Sequence, residues 1–164
     1  MKNKVSILSS CFQVILFVGS LSLLMNCKAD KPTIPPQPTL KNLTLPSIPG
    51  LRIRITSPAD RSTVPQETTT RGTVSGLPSG HVIRVLVRPP GDRWWVQPTV
   101  VLLPDSSWSA TTLVGIRGDS GKEFLIGAVA ITEQQRMETD RDLSGNTQFR
   151  VDGQFPAIVT VTRQ

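Results

Sequence analysis

The chain of 164 residues has no tyrosine, one histidine and two cysteines, and each shortage closes off a class of function. His81 alone cannot build a histidine-based zinc site. Nor does His81, at the start of a strand beside a Gly turn, fit a trypsin-like triad, whose base is oriented by an acid. Cys11 falls in an N-terminal apolar run and Cys27 is the other cysteine, so residues 28–164 hold no thiol. A domain made from them has no disulfide framework, thiolate metal ligand or cysteine nucleophile, and must rely on its hydrophobic core. No cofactor is expected. A helical period of apolar residues is missing from 51–164 as well. The formal net charge is +6, with Lys2 and Lys4 in the leader. An excess of that size serves solubility, and it also favours anionic surfaces such as acidic glycans.

What is present begins with an export signal. "MKNK" precedes the apolar run Val14-Ile15-Leu16-Phe17-Val18, which continues through "LSLLMNC". A basic head followed by an apolar core reads as a secretory signal and is set apart from the fold. Leu24-Met25-Asn26-Cys27 resembles the lipobox of bacterial lipoproteins, although Asn26 stands where that family prefers a small residue. The resemblance implies cleavage after residue 26, a lipid anchor on Cys27 and a mature chain held at the bacterial cell envelope. Several acyl chains give stable anchoring, since each buried CH₂ adds about 0.8 kcal/mol and one chain alone binds marginally. Lys28, in place of the Asp that retains some lipoproteins at the inner membrane, points to the outer membrane. The alternative is an uncleaved span of about 20 apolar residues. Ser6, Ser9, Ser10, Gln13, Ser20 and Ser22 interrupt it. In either case the rest of the chain lies outside the cytoplasm, where nucleic acid is not an expected partner.

Residues 27–50 carry Pro32, Pro35, Pro36, Pro38, Pro46 and Pro49. They read as a stiff tether lacking helix and sheet ladders, able to reach roughly 70 Å at about 3.1 Å per residue. From Leu51 the period becomes two. "LRIRIT" alternates Leu51, Ile53 and Ile55 with Arg52, Arg54 and Thr56, which is the pattern of a half-buried strand. "TTTRGTVS", "HVIRVLVR", "RWWVQ", "TVVLL", "WSATTLVG", "FLIGAVAIT" and the final Ala157–Arg163 follow, separated by turn signals such as "GLPSG", "PPGD" and "PDSS". "EQQRMETDRDLSGNTQ" reads as a long polar connection. Seven or eight short strands at this spacing predict an all-β sandwich over residues 51–164.

The segments "ITSPADRSTV", "GTVSGLPSG", "IRVLVRP", "RWWVQP", "DSSWSATTLVG" and "GKEFLIGAVA", spread over residues 53–131, resemble bacterial immunoglobulin-like and fibronectin-III-like modules. That resemblance implies an immunoglobulin-like β-sandwich and carries no particular function. The chain departs from the pattern in lacking the tyrosine corner and the disulfide between the sheets.

Candidate sites follow from alternation. In "RWWVQ", Trp94 and Val96 share one face, and Arg93, Trp95 and Gln97 the other. The polar neighbours mark the second face as wet. Trp94 and Trp108 therefore belong to the core, while Trp95, flanked by Arg93 and Gln97, can stack on a sugar or anchor a protein interface. The competing reading has a loop or arginine stems covering Trp95. Arg117-Gly118-Asp119 resembles the integrin-binding tripeptide, and "GDSG" is also ordinary turn chemistry. Asp140, Asp142 and Ser144 occupy positions 1, 3 and 5 of a calcium loop, but Val151 stands where the bidentate Glu belongs. Arg52 and Arg54, with Arg84 and Arg88, are candidates for basic stripes; arginines on exposed strands also prevent edge-to-edge pairing. The expectation is a lipid-anchored, non-catalytic binding, adhesion or scaffolding module with a glycan or protein ligand. The alternatives are a carbohydrate-binding accessory module using Trp95 and a purely structural envelope component.

Overall fold

Residues 39–141 and 147–164 are described by a computed structural model, and they form an all-β sandwich. The eight expected strand segments all carry ladders. In chain order they are β2 (Arg52–Ser57), β4 (Glu67–Ser75), β5 (His81–Arg88), β6 (Trp95–Val96), β7 (Val101–Leu102), β8 (Ser107–Leu113), β9 (Glu123–Thr132) and β11 (Ala157–Arg163). Three further strands, β1 (Thr39–Thr44), β3 (Ser62–Val64) and β10 (Thr147–Asp152), bring the count among the described residues to eleven rather than seven or eight.

One sheet has the order β2-β4-β8-β7 and is antiparallel throughout. Its inner face carries Ile53, Thr70, Gly72, Val74, Trp108, Ala110 and Thr112, and the alternate residues turn outward. Gly72 is required here: the Trp108 ring and the Arg54 carbonyl occupy the space that a Cβ would fill. The buried hydroxyls of Thr70 and Thr112 satisfy each other at 2.8 Å. The second sheet has the order β3-β11-β9-β5-β6, with β3 parallel to β11 and the other pairs antiparallel. Its Ile83, Val85, Val87, Phe124, Ile126, Ala128 and Val161 pack against the first sheet to form the principal core.

The second sheet is covered on its other face too. Leu86, Val129 and Ile131 point away from the first sheet and join Leu43, Trp94 and Phe149 in a separate apolar cluster. Strands β5 and β9 are therefore buried on both sides, which is why "FLIGAVAIT" is continuously apolar instead of alternating. Trp94 stacks on Phe155 with ring centroids 4.2 Å apart, and both rings lie against Gly127.

Two expectations are overturned in this covering layer. The proline-rich stretch 27–50 was expected to make no ladder, yet its proline-free segment forms β1, which pairs in parallel with β10. Free N–H groups between Pro38 and Pro46 make that possible. The expected polar connection contains helix α1 (Glu133–Asp140). Its signal was local rather than periodic: Thr132 and Gln135 form a reciprocal capping box. The expected signal sequence of residues 1–26, the expected lipidation residue Cys27 and the start of the expected tether lie outside the described residues.

Candidate functional site

Trp94 is 5% exposed and Trp95 is half-buried. Only Trp95 and Val96 make a ladder, against Val87 and Leu86 at the edge of the second sheet. Trp94 instead exchanges backbone hydrogen bonds with Phe149, both 2.8 Å, and Arg88 lies over its ring at 5.3 Å. Trp94 thus serves the covering layer, and Trp95 is left at a sheet edge.

Gln97 corrects the expectation of a wet face. It is 4% exposed, and its Oε1 accepts the Leu113 N–H at 2.7 Å while its own N–H donates to the Val85 carbonyl at 2.9 Å. The side chain therefore ties the end of β8 in the first sheet to the edge of the second. Between these edges lies a cleft of about 490 Å³ lined by Trp95, Val96, Pro98, Leu113, Ile116 and Phe124, with Gln97 and Asp119 as its polar members. Leu113 is 47% exposed and Ile116 70%. On the other flank of Trp95, Arg93 donates to Gln148 Oε1 at 2.7 Å beside a smaller cleft of about 300 Å³.

Arg117, Gly118 and Asp119 fall in the turn that closes the larger cleft. Arg117 and Gly118 are exposed, but the Asp119 carboxylate is engaged within its own turn. It accepts the Ile116 N–H at 2.9 Å and pairs with Lys122 at 2.7 Å. Lys122 first, and then the Ile116 amide, hold its carboxyl below the usual aspartate range. Gly115, at φ +73°, packs against that side chain. The structure thus brings Asp119 to the same cleft as Trp95, a proximity that two motifs over twenty residues apart did not reveal.

Of the calcium candidates, Asp140 pairs with both Arg84 and Arg136, and Asp142 and Ser144 lie outside the described residues. Arg84 and Arg88 do not continue an exposed stripe with Arg52 and Arg54. Arg84 is 1% exposed, reaching Asp140 and donating to Thr139 Oγ1 at 3.3 Å, so that it fastens α1 to the outer side of β5. Burial, with the charge of Arg136, lowers its pKa to about 10, which leaves it protonated at neutral pH. His81 begins β5 half-buried, 3.4 Å from the Ser79 carbonyl. Among the described residues no three His, Cys, Asp or Glu side chains cluster as metal ligands. The cleft offers apolar walls and an aromatic edge with its polar groups already paired, an arrangement suited to non-covalent contact. No protein-family model and no curated protein matches the chain.

Proposed function

We propose that this chain is an envelope-anchored lipoprotein whose immunoglobulin-like sandwich binds a protein ligand non-covalently, with the Trp95 cleft as its contact site. The strand order supports the immunoglobulin-like part. A four-stranded sheet faces a five-stranded one, and the short β3 runs parallel to the last strand. Cys27, the residue carrying the lipobox resemblance, precedes this domain in the sequence, so an anchor there would hold the domain at the envelope.

The carrying observation is the half-exposed Trp95 beside exposed Leu113 and Ile116, around a cleft whose polar side chains already have partners. A sugar platform needs free donors and acceptors next to the ring. Gln97 and Asp119 do not supply them, whereas an apolar side chain from a partner fits such walls, with Trp as the type of residue that anchors interfaces. The same engagement of Asp119 weighs against integrin-type presentation of Arg117-Gly118-Asp119.

Two experiments test this reading. Metabolic labelling with an alkyne fatty acid labels the chain, and Cys27→Ser removes the label; an unlabelled wild type overturns the anchor. A photo-crosslinking residue placed at Ile116 in intact cells captures discrete protein adducts, which Trp95→Ala abolishes. Adducts that persist unchanged in Trp95→Ala overturn the cleft as the contact site. Retention of the wild type on neutral polysaccharide, lost in Trp95→Ala, moves the reading to a carbohydrate-binding module.

A further inference from the structure

The first sheet turns its other face to solvent. Along β2 this face carries Arg52 and Arg54; along β4, Thr69, Arg71, Thr73 and Ser75; along β8, Ser109 and Thr111. Register sets their spacing. Thr73 lies between Arg54 and Ser107, and Arg71 between Ser57 and Ser109. Arg52 and Arg54 are two residues apart on one strand, about 7 Å. Arg54 and Arg71 stand on the diagonal across neighbouring strands, also about 7–8 Å.

Three arginines in adjacent positions repel one another, and no acidic side chain on the face stands between them. Glu67 sits at the far end of β4, and Asp105, at the β7–β8 turn, is held by Ser107. Protection of a sheet edge accounts for Arg52 and Arg54, because β2 is an edge strand. It does not account for Arg71, since β4 is paired on both sides. Solubility requires charge, but not charges of one sign gathered among hydroxyls.

The geometry points to an acidic polysaccharide as the occupant of this face. Guanidinium groups take carboxylate or sulfate in a fork of two hydrogen bonds, and the intervening Ser and Thr hydroxyls match sugar hydroxyls. A lipid surface is a poorer match. The exposed apolar residues of this face, Val101 and Leu113, lie on β7 and at the end of β8 rather than between the arginines, and a hydroxyl-rich strip suits an extended chain. This site is separate from the Trp95 cleft and does not depend on it.

The test uses the full chain, purified in detergent, on immobilised heparin and polygalacturonate, with dextran as the neutral control. Both polyanions retain the wild type, dextran does not, and affinity falls as salt rises because bound counterions are released. Arg54→Gln/Arg71→Gln weakens retention about tenfold or more and flattens the salt dependence. Arg141→Gln/Arg150→Gln changes the net charge equally, but on the covering layer, and leaves retention unchanged. Arg54→Lys/Arg71→Lys keeps the charge but loses the fork, and recovers only part of the binding. Circular dichroism of each variant confirms that it is folded. Equal losses in the two glutamine pairs reduce the effect to net charge and overturn the proposal, as does retention on neither polyanion. Overturning it equally would be an Arg54/Arg71 dependence seen only on phosphatidylglycerol nanodiscs, which makes the face a lipid contact.

Discussion

Arg54 and Arg84 occupy equivalent places in the sequence, each a cation between apolar residues of an alternating strand, yet one is exposed and the other 1% exposed. The difference belongs to the sheets rather than to the residues. The β2-β4-β8-β7 sheet is covered on one face only, so counting by twos separates greasy from wet. The second sheet is covered on both faces, and there the side opposite the core belongs to another layer made of β1, β10 and α1. Period two tells which side chains share a face; it does not tell what covers that face.

The comparison breaks hardest at the principal core. Trp108 is 1% exposed and packs on Gly72, and Trp108→Ala is expected to destabilise by about 3–5 kcal/mol, through lost burial and the cavity left behind. Denaturant melts should show a large fall in midpoint with cooperativity kept. A loss below about 1 kcal/mol would mean that the facing sheets do not share one core.

The covering layer should give way separately. Arg84→Met keeps the volume of the side chain and removes its links to Asp140 and Thr139, so the expected cost is about 1–3 kcal/mol, concentrated in α1. Hydrogen exchange should speed up across residues 133–140 while β4 and β8 stay protected, because local opening follows local contacts. Uniform loss of protection throughout would show that the layer and the sandwich are one cooperative unit.

Those two outcomes also measure how far the sequence could be read. The eight strand segments were legible because each shows period two or an apolar run bounded by turn residues. Burial of Trp94 and Trp108 followed from the same count. The β1–β10 ribbon was not legible: Thr39-Leu40-Lys41-Asn42-Leu43-Thr44 has weak alternation, and its partner lies over a hundred residues away. Helix α1 escaped because its eight residues, of which only Met137 is apolar, show no apolar stripe; the capping pair Thr132 and Gln135 was the readable sign. In the candidate site, Trp95 could be singled out as the tryptophan beside polar neighbours. The burial of Gln97 could not, since its reason is an amide on another strand, Leu113.

Gln97→Ala sharpens that point on a smaller scale. It leaves the Leu113 N–H without its acceptor at the junction of the two sheet edges, and the expected cost is about 1–2 kcal/mol. Exchange of the Leu113 amide should quicken more than that of its neighbours in β8. An unchanged Leu113 amide would remove the side chain from any role in shaping the cleft.

The smallest effect expected is a pH dependence, and it sets the cleft turn against the covering layer. Asp119 is lowered chiefly by Lys122, and Glu133 in α1 chiefly by Arg136. A carboxylate whose folded pKa is depressed contributes stability above its unfolded pKa, and loses it as pH falls through the folded value. Asp119→Asn keeps an acceptor for the Ile116 amide but removes the ion pair, so its melting temperature should lie slightly below wild type at neutral pH. The two should converge as the medium is acidified below the ordinary aspartate range. Glu133→Gln should behave alike, with the change confined to exchange in α1 rather than in the turn at 115–122. Because Glu133 and the Lys122 partner of Asp119 are about half exposed, added salt should shrink both differences. Curves that run parallel down to acid pH would mean that packing against Gly115, and not charge, holds Asp119 in its turn.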